Sequence, residues 1–328
     1  LDSLTQIALG ASLSAACASP KNRRAAAIAG AALGTLPDLD VLIRYDDPVD
    51  NFIRHRGFSH SLFVLCPIAI LIWLIAKKYI ARVGDDPRRW FWSIFLALVT
   101  HPLLDAHTVY GTQILWPLGL PPTMWSTIFI IDPAYTLPLL VGVVAALIVP
   151  RANTTRHLIT FGIVLSSCYL IWSWTAKYLV NTKVSQYLET TQPYESAQTY
   201  FTVPTPFNTL LWRIIIKSED QYAEGYLSVR NLDQPLEFRI TQLDQDAVTH
   251  ASQYQAFGKL DWFTHGFMKT ETSDNKLFVS DLRMGAEPHY VFRYLIAVKT
   301  NAEWQEVTPI KQGSRYSWEQ LKKILEKI

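Results

Sequence analysis

Charge is scarce in this chain. Of its 328 residues only 18% are Asp, Glu, Lys or Arg, while 49% are hydrophobic; an ordinary soluble domain carries about 25% charged residues. With a mean hydropathy of +0.11, this excludes a disordered chain and argues against an ordinary cytosolic enzyme. An excess of one sign is also missing. The formal net charge is +2, too small for a protein that holds nucleic acid by bulk charge. Cysteine is sparse as well: Cys17, Cys66 and Cys168 each sit inside an apolar run. With no CxxC or other paired spacing they read as small buried hydrophobes, not as a metal or redox pair. The chain has no internal repeat and no low-complexity tract.

What charge there is lies unevenly. Residues 1–180 hold 14 Lys/Arg and 10 Asp/Glu, and 181–328 hold 16 and 18 in a shorter stretch. The front half is a series of apolar runs at 61–76, 90–104, 134–149 and 158–176, with Trp73, Trp90, Trp92, Trp172 and Trp174 towards their ends. Each run is about 15–19 residues, at the short end of what crosses a ~30 Å hydrocarbon core. Two Ala- and Gly-rich segments without charge, 4–18 and 25–36, precede them and suit a tight helical hairpin. The expected fold is therefore an α-helical integral membrane domain of about six helices with a short N-terminal hairpin (1–180), then a mostly β extramembrane domain (181–328).

Orientation follows from the loops. Lys21, Arg23 and Arg24, then Lys77, Lys78, Arg82, Arg88 and Arg89, then Arg151 and Arg156 mark three basic loops, whereas 105–133 has no Lys or Arg. The positive-inside rule puts the basic loops in the cytoplasm. The N-terminus, 37–60, 105–133 and everything after about 178 then fall outside. Arg44, Arg54 and Arg56 in 37–60 break the rule and need another explanation. The first apolar run lacks a basic leader, so no cleavable signal peptide is expected. In the polar half, alternation at 226–230, 236–240, 276–281 and 290–297, punctuated by Asp, Asn, Gly and Pro, predicts antiparallel strands. LLWRIII at 210–216 predicts a buried strand, and 317–328 a closing helix. His250, His265 and His289 have no ligand-like spacing; Trp262, Phe263 and Trp304 are candidates to face lipid or a partner.

The titratable residues of the front half cluster. Asp38 and Asp40 end the second helix, His55 and His60 flank the start of the third, and His101 and Asp105 end the fourth. Asp2 and Gln6 open the first helix, and Asp132 opens the fifth. In the topology set by Lys and Arg alone, all of them fall at the external face. Imidazole with carboxylate suits a divalent cation such as Zn²⁺ or Mn²⁺, and His101 and Asp105, four apart, share one helical face. His107 and His157 read as interface residues.

PDLD, HRGFSHS and HPLLD, with the opening LDSLTQIALGA and the later strings YGTQILWP and IFIIDPAYTLPLL, closely resemble the YdjM/YfhP-like family of membrane-bound metal-dependent hydrolases over about residues 1–180. The resemblance implies a metal-dependent hydrolase marked by Asp and His near the N-terminus, PDxD, HRGxxHS and HxxxD; Gln6 stands where many members have His. The order of motifs is more remotely similar to the zinc-dependent phospholipases C. The expectation is hydrolysis of a phosphoester in a lipid or lipid-linked substrate at the outer face of the cytoplasmic membrane. Two or three Zn²⁺ or Mn²⁺ ions would be held by Asp38, Asp40, His55, His60, His101 and Asp105, with Asp2 and Gln6 peripheral. Asp40 or Asp38 would take the proton of the attacking water, and Arg54 and Arg56 would grip the phosphate. Rival readings are an amide or ester hydrolase, and a non-catalytic metal-binding membrane protein. The β domain is expected to cover or gate the metal face; membrane lipids are the expected partners and nucleic acid is not.

Overall fold

Small residues set the first packing. α1 (Ser3–Cys17) and α2 (Arg23–Thr35) form the expected hairpin. A Cβ at Gly34 would lie 2.6 Å from the carbonyl oxygen of Gln6, and Gly10 and Gly30 approach each other as closely, so only glycine lets these backbones touch. Asp2 caps α1 by accepting from the Thr5 N–H and hydroxyl. In this computed structural model residues 2–190 and 199–314 are described, with 319, 322, 324 and 326. They divide into two compact units, Leu1–Ile43 with Arg56–Trp174, and Arg44–His55 with Thr175–Ile328.

In the first unit a 3-10 turn (Pro37–Leu42) ends the hairpin. The chain then makes α3 (Pro48–Arg54), which belongs to the second unit, and returns through a second 3-10 turn (Phe58–His60). α4 (Leu62–Tyr79), α5 (Ala81–Gly84) and α6 (Pro87–Asp105) follow. Ser14 and Ser93 exchange hydroxyl-to-carbonyl bonds of 2.8 and 3.1 Å, pinning α1 to α6 with the polar contacts that work between helices in an apolar setting. The 106–132 connection is held by backbone bonds from Thr127 and Ile128 to the His107 carbonyl and by a Thr112–Thr123 bridge. α7 (Pro133–Ile148) starts on a proline, which a first helical position tolerates because its N–H would be unbonded anyway. Asp132 caps α7 and accepts from the Tyr169 hydroxyl. α8 (Ala152–Thr190) runs on into the second unit.

Among the described residues two helices, α4 and α8, are long and apolar enough to cross a membrane; the sequence predicts about six. At 1.5 Å per residue α1, α2 and α7, of 15, 13 and 16 residues, fall short of a full span. α6 has the length but carries Arg88, Arg89, His101 and Asp105. The most apolar stretches of α4 and α8 are only 17% and 22% buried, unlike the core helix of a soluble protein, and Leu71, Leu74, Phe161 and Ile171 are exposed along them. An apolar surface of this extent is characteristic of contact with lipid or with another protein.

The second unit is mostly β. β1 (Thr199–Pro204), β2 (Leu211–Lys217), β3 (Gln221–Ser228) and β4 (Phe238–Gln242) form one antiparallel sheet in that order. After α9 (Gln245–Ala251) and α10 (Gln255–Thr264) come β5 (Met268–Ser273) and β6 (Lys276–Asp281), then the short pair β7 (Gly285–Ala286) and β8 (His289–Tyr290). β9 (Arg293–Thr300) and β10 (Glu303–Lys311) complete a second sheet of order β10-β9-β6-β5. The expected buried strand at 210–216 is β2, whose Trp212, Ile214 and Ile216 meet Ala176, Val180 and Val184 of α8. α3 belongs here because Phe52 packs on Phe263 and Phe292 at ring-centroid distances of 4.6 and 4.2 Å, and Lys259 Nζ bonds Asp50 at 2.7 Å. Phe263 is thus buried and is not presented to lipid or a partner as expected. The helix predicted at 317–328 lies largely outside the described residues.

Candidate metal centre

Four ligand atoms from three separate segments converge in the first unit. Asp38 comes from the turn that ends α2, His60 from the turn before α4, and His101 and Asp105 from the last turn of α6. One donor atom from each lies within 4.8 Å of all the others, and among the described residues this is the group so arranged. His60 Nε2 is 3.2 Å from Asp105 Oδ2 and 3.4 Å from Asp38 Oδ1; His101 Nε2 is 3.6 and 3.5 Å from the same atoms. The two Nε2 atoms are 3.1 Å apart. The side chains of His60, His101 and Asp105 are 0% exposed and that of Asp38 is 20% exposed, so Asp38 marks the way in.

The hydrogen bonds around the group set its tautomers. His101 Nδ1 lies 2.6 Å from the Gly34 carbonyl, which can only accept, so Nδ1 carries the proton and Nε2 offers its lone pair. Ser59 Oγ is 2.6 Å from Asp40 Oδ2 and 2.9 Å from His60 Nδ1. Its single proton goes to the carboxylate, and His60 Nδ1–H donates to the hydroxyl. In their neutral forms both imidazoles therefore have Nε2 as the free donor atom, and both Nε2 atoms face one point that two carboxylate oxygens also face. Ligating histidines are fixed in this way, the far nitrogen held by an outer partner.

Charge supports the same reading. Asp38, Asp40 and Asp105 bring three carboxylates to this region, and the Arg56 guanidinium meets one of them, its Nε 3.2 Å from Asp105 Oδ2. With both imidazoles neutral, as metal ligands must be, these groups carry an excess of two negative charges in a largely buried place, where charge must be compensated. Burial works against ionising Asp38, but hydrogen bonds with His101 and His60 overcome it and hold its carboxyl well below the usual carboxylate range. Burial likewise opposes a charged His60, yet hydrogen bonds to Asp105 and Asp38 raise it above the usual imidazole range. A proton and a metal ion would compete for this point. The residues present fit a metal ion.

The other expected site residues are placed as follows. Asp40 stands one step back from the four, accepting from the Arg56 backbone N–H at 2.9 Å and from Ser59. Arg56, in the left-handed region at φ 62, is buried, donates to Thr108 Oγ1 and lies over the Tyr110 ring. Gln6 is buried and donates to Asp105 Oδ1 at 2.9 Å and to the His101 carbonyl, so its amide steadies two members of the group. Asp2 is a helix cap. His55 closes α3 in the second unit, and Arg54, in the same helix, pairs with Asp50 and covers Tyr45. Sequence reasoning missed Ser59, although its place beside His60 in HRGFSHS was a usable signal, and missed the Gly34 carbonyl, for which no side-chain pattern exists.

A family model described as YdjM inner membrane protein matches residues 1–180. The uncharacterized protein YfhP of Bacillus subtilis (strain 168) is 30% identical over 104 residues, 30% of this chain and 30% of that protein. The inner membrane protein YbcI of Escherichia coli (strain K12) is 36% identical over 92 residues, 27% of this chain and 51% of that protein. The chain thus spans from under a third to about half of the length of these relatives. No solved structure matches it.

Proposed function

The chain belongs to the YdjM family of inner membrane proteins, and from that premise we propose that it is a membrane-embedded, metal-dependent hydrolase cleaving a phosphoester of a lipid or lipid-linked substrate. The observation that carries this reading is the meeting of two Nε2 lone pairs and two carboxylates at one point, with one ligand, Asp38, reaching the surface. Mixed imidazole and carboxylate donors favour Zn²⁺ or Mn²⁺. Such an ion supplies Lewis acidity towards a phosphoryl oxygen and a more acidic water.

The chain's own groups would do the rest. Asp38 would meet the substrate and accept the proton of the attacking water. Arg56 would balance the charge of Asp105 and attract the substrate phosphate; Arg54 has no part in this scheme. Asp40, through Ser59, and Gln6, through Asp105, would hold the donors in place. Four donors account for one ion, and further ions would have to draw on Asp40, which already holds Ser59 and the Arg56 amide. The basic loops favour a multi-pass arrangement with the site on the periplasmic side.

One observation favours a non-catalytic metal site instead: four protein donors can close a tetrahedral set, as structural zinc sites do. The two readings separate on purified protein loaded with Zn²⁺ or Mn²⁺ and assayed against phospholipids and artificial phosphodiesters. Turnover that disappears in Asp38→Asn with metal still bound supports the hydrolase. Full metal occupancy without turnover on any phosphoester counts against it.

A further inference from the structure

The helical unit has a second charged feature at its other end. Trp90 packs with Ala18 and Ala26 there, 15 residues along α6 from Asp105, or roughly 22 Å. Next to the α1–α2 turn lies a cavity of about 300 Å³ whose lining includes Lys21, Arg23, Arg24, Ile148, Pro150 and Thr155. Arg23 is only 7% exposed. Its Nη1 donates to the Ala152 carbonyl at 2.9 Å, while its Nε is buried without a hydrogen-bond partner. Arg156 follows Thr155 of the lining and adds a further cation to the same segment. No Asp or Glu occurs in 18–36 or in 133–157, the two segments that line the cavity. A buried guanidinium with an unpartnered Nε, set between two segments that carry cations and no carboxylate, calls for an anion.

We propose that this cavity binds a phosphate group, as borne by an anionic membrane lipid. Guanidinium groups match phosphate with paired, charge-assisted bonds, and Arg23, Arg24 and Lys21 supply the positive rim. The wall of Ala146, Leu147, Ile148 and Val149 is apolar, and Ile148 is exposed beside it, so a headgroup can enter with its acyl chain along α7. The site is separate from the metal group and does not depend on the hydrolase reading.

The test uses the full chain in detergent, with lipid binding counted by native mass spectrometry. Phosphatidylglycerol, phosphatidylcholine and inorganic phosphate are each added alone, and phosphate is also added in competition. Wild type should retain phosphatidylglycerol in preference to phosphatidylcholine. Arg156→Gln, an exposed position, should weaken it about fivefold, and Arg23→Gln about tenfold or more, with Arg23→Lys between wild type and Arg23→Gln. Metal content should stay unchanged in all three. Binding of inorganic phosphate without phosphatidylglycerol would keep the phosphate site and assign it to a soluble ion. Binding of neither, or phosphatidylglycerol binding unaltered in Arg156→Gln, would overturn the proposal whether or not Arg23→Gln folds.

Discussion

In the β unit Arg213 meets Glu224 at 2.9 Å, Arg283 meets Asp281 at 2.7 Å, Arg293 meets Glu271 at 2.8 Å and Lys269 reaches both Glu271 and Glu287. Four cations answer four carboxylates. In the helical unit three carboxylates and two imidazoles gather with one guanidinium, and at the opposite end a buried arginine donates to a backbone carbonyl between segments that hold no carboxylate. Buried pairs that cancel serve the fold and ask nothing of a ligand. Buried sets that do not cancel require a partner from outside the chain. The contrast separates these pairs, which hold structure, from polar sets in the helical unit whose charges are left for a ligand to balance.

Variants that disturb one unit and spare the other would sharpen this contrast. Arg283→Ala leaves Asp281 buried without its guanidinium and should destabilise the chain by about 3–5 kcal/mol in detergent unfolding, with metal content as in wild type. Metal lost together with that stability would break the separation. His101→Ala should have the opposite effect, lowering metal affinity by more than the 10–100-fold typical of an outer partner. Competition with a chelator measures this.

Smaller effects should follow from the outer shell. Ser59→Ala leaves every ligand in place but removes the acceptor of His60 Nδ1–H, so affinity should drop about 10-fold or somewhat more. The pH dependence has a definite sign. His60 binds its proton more tightly than an ordinary imidazole, and metal needs it neutral. Affinity should therefore be full well above the usual imidazole value of about 6.5 and begin to fall before pH drops to that value. Affinity constant from about pH 8 to 5 would remove His60 from the set.

The pattern of residues carries much of this, though unequally. PDLD, HRGFSHS and HPLLD disclosed the segments that meet, and the i, i+4 spacing of His101 and Asp105 disclosed a shared helical face. The same strings could not rank their members. Asp38 and Asp40 are two residues apart in one 3-10 turn, and which of them faces the histidines depends on how that turn leaves α2. Likewise His55 and His60 bracket one glycine, yet His55 ends a helix bound to Phe263 and Phe292 through Phe52, partners more than 200 residues away in the chain. Six apolar runs suggested six spans, but α1, α2 and α7 are too short for one and α6 carries Arg88, Arg89, His101 and Asp105.

Local composition by itself determined the division into an apolar helical front and a polar β back, since hydrophobic period and charge density are properties of neighbours along the chain. The motif strings PDLD, HRGFSHS and HPLLD, by resemblance, pointed to the membrane family and supplied the candidate donors. Tertiary structure decided which donors share one point, that Gln6 and Ser59 steady them, and that Arg23 is buried with no salt bridge among the described residues. These depend on backbone approach: only the glycine contact between α1 and α2 places the Gly34 carbonyl on His101, and no one-dimensional pattern records which oxygen a folded chain brings within 3 Å of which nitrogen.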